Sequence, residues 1–558
     1  MTNVRSLLRL ANALCVSACV LLGAQGSANE RGVPTVTAPA GTFRGVAVEG
    51  AAVFRGIAFA EAPTGALRWK PPVAKAPAQA TVDASEFGPI CFQPEFPKLP
   101  ANIYWEQLPE MSEDCLSLNI WQPATARPAG KAPVFVWIHG GSLLTGAGRF
   151  AMYDGRRLAE RGIVVVSINY RLGALGFLAH PELSAESADR VSGNYGLLDQ
   201  IEALRWVRRN IAAFGGDPEN VTIAGESAGG LSVMHLMAAP AAKGLFAKGV
   251  MQSAYMVSEP ALRENRHGHS SAESEGLRIA AGVGAADLAA LRAISPGELT
   301  RKATALGYTT YPTVDGKIVP KQLVDVFDEG SQAKVPILAG FNSGEIRSLR
   351  MLLPKMPSSA KDYESTIRTN YGDVADLFLR VYPAASFEES MLQTTRDALY
   401  GWTAQRLGAK QAAIGQGAYL YLFDRGYRAA DAIGLHAFHG AELPYMFGTI
   451  WETSANWPAI PRTREERAFS DTMVDYWASF ARSGQPEAAG APRWSPFGKN
   501  ENWMVFGERA TPVEDVLSYR YDLIEHVVCR RRAAGDQQWN WNVGLAAPPL
   551  SAPGAHCR

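Results

Sequence analysis

Val221-Thr222-Ile223-Ala224-Gly225-Glu226-Ser227-Ala228-Gly229-Gly230 joins a β-branched apolar run, a glycine stop, a serine in a tight turn and a row of small residues that open a helix. That order reads as a strand–turn–helix with a Gly-x-Ser-x-Gly elbow at Gly225, Ser227 and Gly229. Such a turn strains the serine backbone and lifts its hydroxyl above the carboxyl edge of a sheet. Glycine is required on either side because a Cβ would collide with the neighbouring strand and helix. The five-residue pattern alone is common in a chain with 53 glycines; its setting is what makes Ser227 a candidate nucleophile.

Outward from this stretch, short apolar runs recur at Val134–Ile138, Ile163–Ile168, Val335–Ala339 and Tyr419–Phe423, each followed by a turn and usually an amphipathic helix. Near-continuous apolar strands alternating with helices predict an α/β fold with a central, mostly parallel twisted sheet covered on both faces. One helix is expected between Asp199 and Phe214, with Ile201, Leu204, Val207 and Ile211 on one stripe and Gly215-Gly216 as its stop. A second is expected from Ala228 to Ala239, ended by Pro240. In open α/β sheets ligands bind beyond the carboxyl ends of the strands. His139-Gly140-Gly141-Ser142, Ser227, Glu345 and the pair His436 and His439 all come after such ends, so four segments aim at one rim.

The chain has 558 residues and no internal repeat or linker that would divide it, and 47% hydrophobic content is ample for a large core. Lys+Arg and Asp+Glu both number 54, which excludes a nucleic-acid or anionic-membrane partner recruited by bulk charge. Arg5 and Arg9, the apolar run from Leu10 to Leu22 and the small residues Gly26-Ser27-Ala28 have the layout of a secretory signal, residues 1–28, cut after Ala28. The run is too short for a membrane anchor, and export to the periplasm or the medium is the expectation. Val16-Ser17-Ala18-Cys19 offers a lipoprotein alternative, against which the apolar run continues past Cys19. Loss of the leader leaves Cys91, Cys115, Cys529 and Cys557, an even number that reads as two disulfides. Spacing pairs Cys91 with Cys115, and Cys529–Cys557 is then paired by elimination; free buried thiols are the alternative.

A serine hydroxyl needs a base within hydrogen-bond reach, and the base needs a carboxylate to fix its tautomer. Histidine suits the base because its pKa lies near working pH. Ser227, Glu345 and His439 supply nucleophile, acid and base in that chain order. An oxyanion would be received by backbone amides: Ala228, after the nucleophile, and the Gly140-Gly141-Ser142 turn. No metal or organic cofactor is required by this chemistry.

From Thr42 to Phe497 the chain resembles the type-B carboxylesterases, the family that includes the cholinesterases. The resemblance is carried by Phe54-Arg55-Gly56-Ile57-Ala58-Phe59-Ala60, Leu67-Arg68-Trp69, Ser112-Glu113-Asp114-Cys115-Leu116-Ser117-Leu118-Asn119, and Trp137-Ile138-His139-Gly140-Gly141. It continues in Asn169-Tyr170-Arg171-Leu172-Gly173-Ala174-Leu175-Gly176-Phe177-Leu178, Asn194-Tyr195-Gly196-Leu197-Leu198-Asp199-Gln200, Phe214-Gly215-Gly216-Asp217-Pro218 and the elbow itself. It implies an α/β-hydrolase fold over residues 29–530 with large loop insertions, and a serine esterase acting on a small-molecule ester. It gives Ser227, Glu345 and His439 the triad roles and Gly141, Ser142 and Ala228 the oxyanion roles, and it matches Cys91 and Cys115 to the family's N-terminal disulfide loop. Two departures stand out: Ser142 replaces the third glycine of the oxyanion turn, and Ile346 comes after the acid where glycine is usual. The tail, 531–558, with Trp539 and Trp541, matches nothing in the family pattern. The same fold also carries adhesion proteins that only bind, and retention of all three triad residues argues against that alternative.

Several positions allow a plainer reading. His436 competes with His439 for the base, and spacing to Gly440-Ala441-Glu442-Leu443-Pro444 favours His439. His436, His439 and Glu442 as metal ligands would lack any His-Glu-x-x-His helix. Glu226 reads as a buried carboxylate behind the nucleophile or a salt-bridged core residue. Ser253 reads as a hydrogen-bond donor near the acid or a strand end. Trp105 stands ten positions before Cys115, where the resemblance to the cholinesterases implies a tryptophan that holds a cation, and it otherwise reads as a rim or packing residue. Arg347 and Arg350 read as receptors for a substrate carboxylate or as salt-bridge partners on the next helix.

Overall fold

The computed structural model describes residues 33–540, 545–552 and 557; the leader segment, Cys19 and Trp541 lie outside them. The strands are β1 (Thr35–Ala38), β2 (Gly41–Arg44), β3 (Val46–Val48), β4 (Ala51–Ala58), β5 (Val82–Asp83), β6 (Ser117–Pro123) and β7 (Ala132–Ile138). They continue with β8 (Val164–Ile168), β9 (Gly216–Glu226), β10 (Lys248–Gln252), β11 (Ile337–Asn342), β12 (Ala418–Phe423), β13 (Asn502–Phe506) and β14 (Ala510–Glu514). β1, β2 and β5 make a small sheet, and the rest form one 11-stranded sheet in the order β14-β13-β12-β11-β10-β9-β7-β8-β6-β4-β3. Its centre, from β8 through β7, β9, β10, β11 and β12 to β13, is parallel throughout, and antiparallel strands lie only towards its two edges.

Both faces are covered, as the apolar runs predict. Val134, Val136 and Ile138 of β7 pack into one core with Ile201, Leu204 and Val207 of α1 (Tyr195–Asn210). The alternate residues Phe135 and Trp137 enter a second core with Met473, Val474 and Trp477 of the helix Arg464–Ser483. This is the two-residue period of a strand buried on both sides. The helix α1 begins a turn earlier than the sequence reading placed it. It tightens into a 3₁₀ turn at Ile211–Phe214 and stops at Gly215, whose φ of 81° is the left-handed cap expected there. β10 is not among the apolar runs that announce strands and was anticipated only as a strand end at Ser253: Lys248-Gly249-Val250-Met251-Gln252 is short and poor in β-branched residues, and it is a strand because β9 and β11 pair with it on either side.

The block Asn194–Gln200 has a structural reason. Asp199, fully buried on α1, accepts from Nε and Nη2 of Arg171 at 2.8 and 2.7 Å and from the Arg171 amide at 3.0 Å. Breaking such a pair leaves a buried charge without its counterion. Asp199→Ala is therefore expected to lower unfolding free energy by about 3–5 kcal/mol, read as a lower urea midpoint; an unchanged midpoint would contradict it.

Cys91–Cys115 and Cys529–Cys557 are both disulfides, the pairing that spacing proposed. The boundary at 530 falls inside the helix Ser518–Ala534, and the start of the tail lies against the body of the molecule. Trp539 is buried, and Asn540 Nδ2 donates to the carbonyls of Met256 and Ala398 at 2.8 and 2.9 Å. Among the described residues no helix is long and apolar enough to cross a membrane.

Candidate active site

β9 ends at Glu226 and α2 (Ala228–Ala238) begins two residues later, so the whole reversal is made at Ser227. Its backbone takes φ 57°, ψ −122°, a conformation that costs an L-residue free energy and is held by the surroundings. The Ser227 amide donates to the Gln252 carbonyl at 2.9 Å, and its side chain makes no capping bond to α2. The glycines are required by close approach. A Cβ on Gly229 would stand 2.1 Å from the Ile138 carbonyl oxygen, and one on Gly225 2.4 Å from the Gly229 carbonyl carbon.

Glu345 opens a 3₁₀ turn after β11 and is completely buried. Its Oε1 accepts from Ser253 Oγ at 2.6 Å and from the Asn342 amide at 2.8 Å, while Oε2 takes a short hydrogen bond from His439 Nδ1. Ser253, one residue past β10, is thus the hydrogen-bond donor of the two readings open for it. His439 Nε2, the other ring nitrogen, lies 3.0 Å from Glu226 Oε1, on the residue next to Ser227. That contact lacks hydrogen-bond alignment, so the Nε2 axis is not aimed at the Glu226 oxygen. A third carboxylate, Glu442, accepts from Gln252 Nε2 at 2.9 Å and Asn342 Nδ2 at 2.5 Å.

One imidazole therefore sits among three buried carboxylates. Burial drives the His439 ring towards its neutral form, but the charges of Glu226, Glu345 and Glu442 outweigh burial and hold its pKa up at about 9. Burial pushes the Glu226 carboxyl up to about 8, with Glu442 and Glu345 adding to the push and His439 opposing it. Glu442 is raised by burial as well.

The turn after β7 packs onto the same elbow. A Cβ on Gly140 would stand 2.7 Å from the Glu226 carbonyl oxygen and 3.2 Å from Ser227 Cβ. Gly141 spends its carbonyl inward, on the amides of Leu144 and Thr145 at 3.0 and 2.9 Å. Among the described residues the amides of Gly141 and Ser142 have no protein acceptor, and the Ala228 amide belongs to the first turn of α2, where helical geometry supplies none. Ser142 takes φ 57°, a left-handed backbone that favours glycine.

The remaining candidates are placed elsewhere. His436 is held by Asp431 and Asp424 at 2.9 and 3.1 Å, so His436, His439 and Glu442 face three different sets of partners and do not converge on a metal position. Lys98 Nζ lies over the Trp105 ring at 4.7 Å, so a cation of the chain itself is already on that ring. Arg347 Nη2 donates to both carboxylate oxygens of Glu389 at 2.9 Å, and Arg350 is exposed. Two residues escaped the sequence reading. Tyr104, the neighbour of Trp105, donates from its hydroxyl to the His439 carbonyl at 2.8 Å. Tyr400, in a π-helical turn at Asp397–Gly401, brings its ring to 5.3 Å from the His439 ring. Neither position carries a motif, and a π-turn has no signature in the sequence.

The mostly parallel sheet with a strained serine after a central strand, and an acid and a histidine on later loops, defines the α/β-hydrolase class. Residues 32–521 match the carboxylesterase family, and the chain belongs to that family as a carboxylic ester hydrolase. It is 34% identical over 475 residues to fumonisin B1 esterase of Sphingopyxis macrogoltabida, covering 82% of this chain and 83% of that protein. It is 34% identical over 472 residues to para-nitrobenzyl esterase of Bacillus subtilis, covering 83% and 92%. Among solved structures, the Geobacillus stearothermophilus carboxylesterase superposes with a TM-score of 0.73 at 32% identity, over 87% of this chain and 98% of that one.

Proposed function

We propose that this carboxylesterase is an exported serine hydrolase that cleaves small-molecule carboxylic esters through an acyl-enzyme. Ser227 Oγ attacks the ester carbonyl while His439 Nε2 takes its proton. Glu345 holds Nδ1–H and stabilises the imidazolium. The oxyanion rests on the amides of Gly141, Ser142 and Ala228, the alcohol leaves with the proton from His439, and water repeats the sequence to free the acid. The observation that carries this reading is the short bond between His439 and Glu345, 94 residues apart in the chain, with the other ring nitrogen of His439 3.0 Å from Glu226, the residue before the strained Ser227. Export, with removal of residues 1–28, is supported by the two disulfides, which persist in oxidising compartments. Lys98 on Trp105, Glu389 on Arg347 and the three buried carboxylates favour esters uncharged near the reacting carbonyl. p-Nitrobenzyl esters and fumonisin B1, from the names of the two relatives, are the first substrates to try.

Diethyl p-nitrophenyl phosphate tests the nucleophile directly. One p-nitrophenol is expected per chain, with none from Ser227→Ala; a folded wild-type chain that refuses the label would overturn the reading.

The same reading fixes a pH dependence. The base works as the neutral imidazole, and a pKa held above the ordinary 6.5 means that this form appears only as pH rises through the raised value. kcat/KM is therefore expected to climb with pH on a limb displaced upward from 6.5, since that limb reports the free enzyme. Glu226→Gln removes the carboxylate that raises His439 most, and its limb is expected at lower pH. Coincident limbs for the two proteins would rule this out.

A further inference from the structure

We infer that Tyr104 is a positioning residue for the base, reached through the Cys91–Cys115 loop, an inference that rests on the Ser-His-Glu reading above. Tyr104 lies inside the loop that this disulfide closes. Its hydroxyl has one proton, and that proton goes to the His439 carbonyl oxygen at 2.8 Å. The 2.7 Å contact with Ser348 Oγ is then a bond in which Ser348 donates and Tyr104 Oη accepts, closer than the 3.4 Å from Ser348 Oγ to the Glu345 carbonyl. Ser348 sits in the turn of the acid and His439 in the turn of the base, so one phenol ties the two turns together from a third segment.

The third segment is itself held. Ser454 Oγ donates to the Ile103 carbonyl at 2.5 Å, and Asn456 Nδ2 to the carbonyls of Leu99 and Asn102 at 3.0 Å each. The Tyr104 ring meets Trp457 edge-on at 6.1 Å, and Trp457 packs at 4.7 Å against Phe438, the residue before His439. On the other side, Asn342 Nδ2 donates to the Phe438 carbonyl at 2.8 Å. The residue after His439, Gly440, turns the chain with φ 75°, so the His439 carbonyl lies outside any ladder and Tyr104 supplies its donor. Tyr104 as a residue is 36% exposed while its hydroxyl is bonded inward, so removing that hydroxyl changes a hinge of the site and little of the core. The hydrogen bonds of the phenol go to the His439 carbonyl and to Ser348, not to the imidazole or to Ser227, and they fix the backbone from which the imidazole projects. Since a reacting group displaced by about 1 Å loses much of its rate, the effect falls on the chemical step.

Tyr104→Phe keeps the ring against Trp457 and removes only the hydroxyl. With p-nitrophenyl acetate, kcat is expected to fall about tenfold with KM unchanged and with the thermal midpoint close to wild type. Ser348→Ala, which weakens the same link at one remove, is expected to cost about threefold, and to cost nothing further once Tyr104 is already Phe, since Ser348 acts through that hydroxyl. An unchanged kcat in Tyr104→Phe, or a loss confined to KM, would overturn the inference. If Tyr104→Phe fails to fold, Ser348→Ala decides: an unchanged kcat there overturns it equally. Ser227→Ala assayed alongside keeps the two readings apart. Activity surviving in Ser227→Ala sinks the triad, whereas an inactive Ser227→Ala beside an unaffected Tyr104→Phe sinks the positioning role alone.

Discussion

Ser227→Ala is expected to lower kcat for a p-nitrophenyl ester by about 10⁶-fold, the scale on which serine hydrolases lose their nucleophile. The fold has no reason to suffer: the strained backbone is imposed by the Gln252 carbonyl and by glycines pressed against Ile138, and neither depends on the Ser227 hydroxyl. His439→Ala should cost about as much, and the double variant hardly more than either, because nucleophile and base act as a unit. Residual hydrolysis above water is expected from the oxyanion amides, which no side-chain substitution removes. Steady-state kcat of each variant, per chain quantified by absorbance, would check this. Losses that multiply in the double variant would mean that the two residues act in separate steps.

Glu345→Gln is expected to lower kcat about 10⁴-fold, and the partners of the two carboxylate oxygens say why. Oε1 receives two donors, Ser253 Oγ–H and the Asn342 N–H, so the amide oxygen of glutamine must take that place. The NH2 group is then turned towards His439 Nδ1, which has to accept instead of donate. The ring proton moves to Nε2, and the nitrogen that should receive the serine proton already carries one. The substitution thus leaves the shape intact and installs the wrong tautomer. Glu345→Gln in a Ser253→Ala background relieves one of the two donors and should recover part of the rate. A loss below tenfold in Glu345→Gln would mean that the carboxylate is not what orients the base.

How much of this was readable before folding differs from residue to residue. The elbow was fully legible, because strand, turn and helix are consecutive and the steric demand on Gly225 and Gly229 is local. Cys91–Cys115 was reachable from the number and spacing of the cysteines, and Cys529–Cys557 only by elimination once that pair was set. Glu345 and His439 were identified from order along the chain and from the family resemblance. That His439 and not His436 faces the acid is a matter of loop conformation: His436 itself takes φ 52° and turns to Asp424 and Asp431. In the disulfide loop, spacing to Cys115 and the family resemblance drew attention to Trp105, whereas the hydroxyl that reaches the turn of His439 belongs to Tyr104. Adjacent side chains on an irregular segment point in different directions, and no periodicity tells which is inward. β10 was legible only as a possible strand end at Ser253 for a related reason, since its strand state is conferred by its neighbours.

Taken alone, the sequence determined whatever depends on neighbours along the chain: an alternating α/β architecture, the strained turn at Ser227, the order of the candidate nucleophile, acid and base, and the cysteines available to pair. Only the tertiary structure decided which groups surround the His439 ring, that three carboxylates share one buried space with it, and that a phenol from a distant loop closes the turn behind it. Most of these contacts join segments 94 to 335 residues apart in the chain. Their distances are set by packing the two cores against one sheet, a condition that no local run of residues encodes.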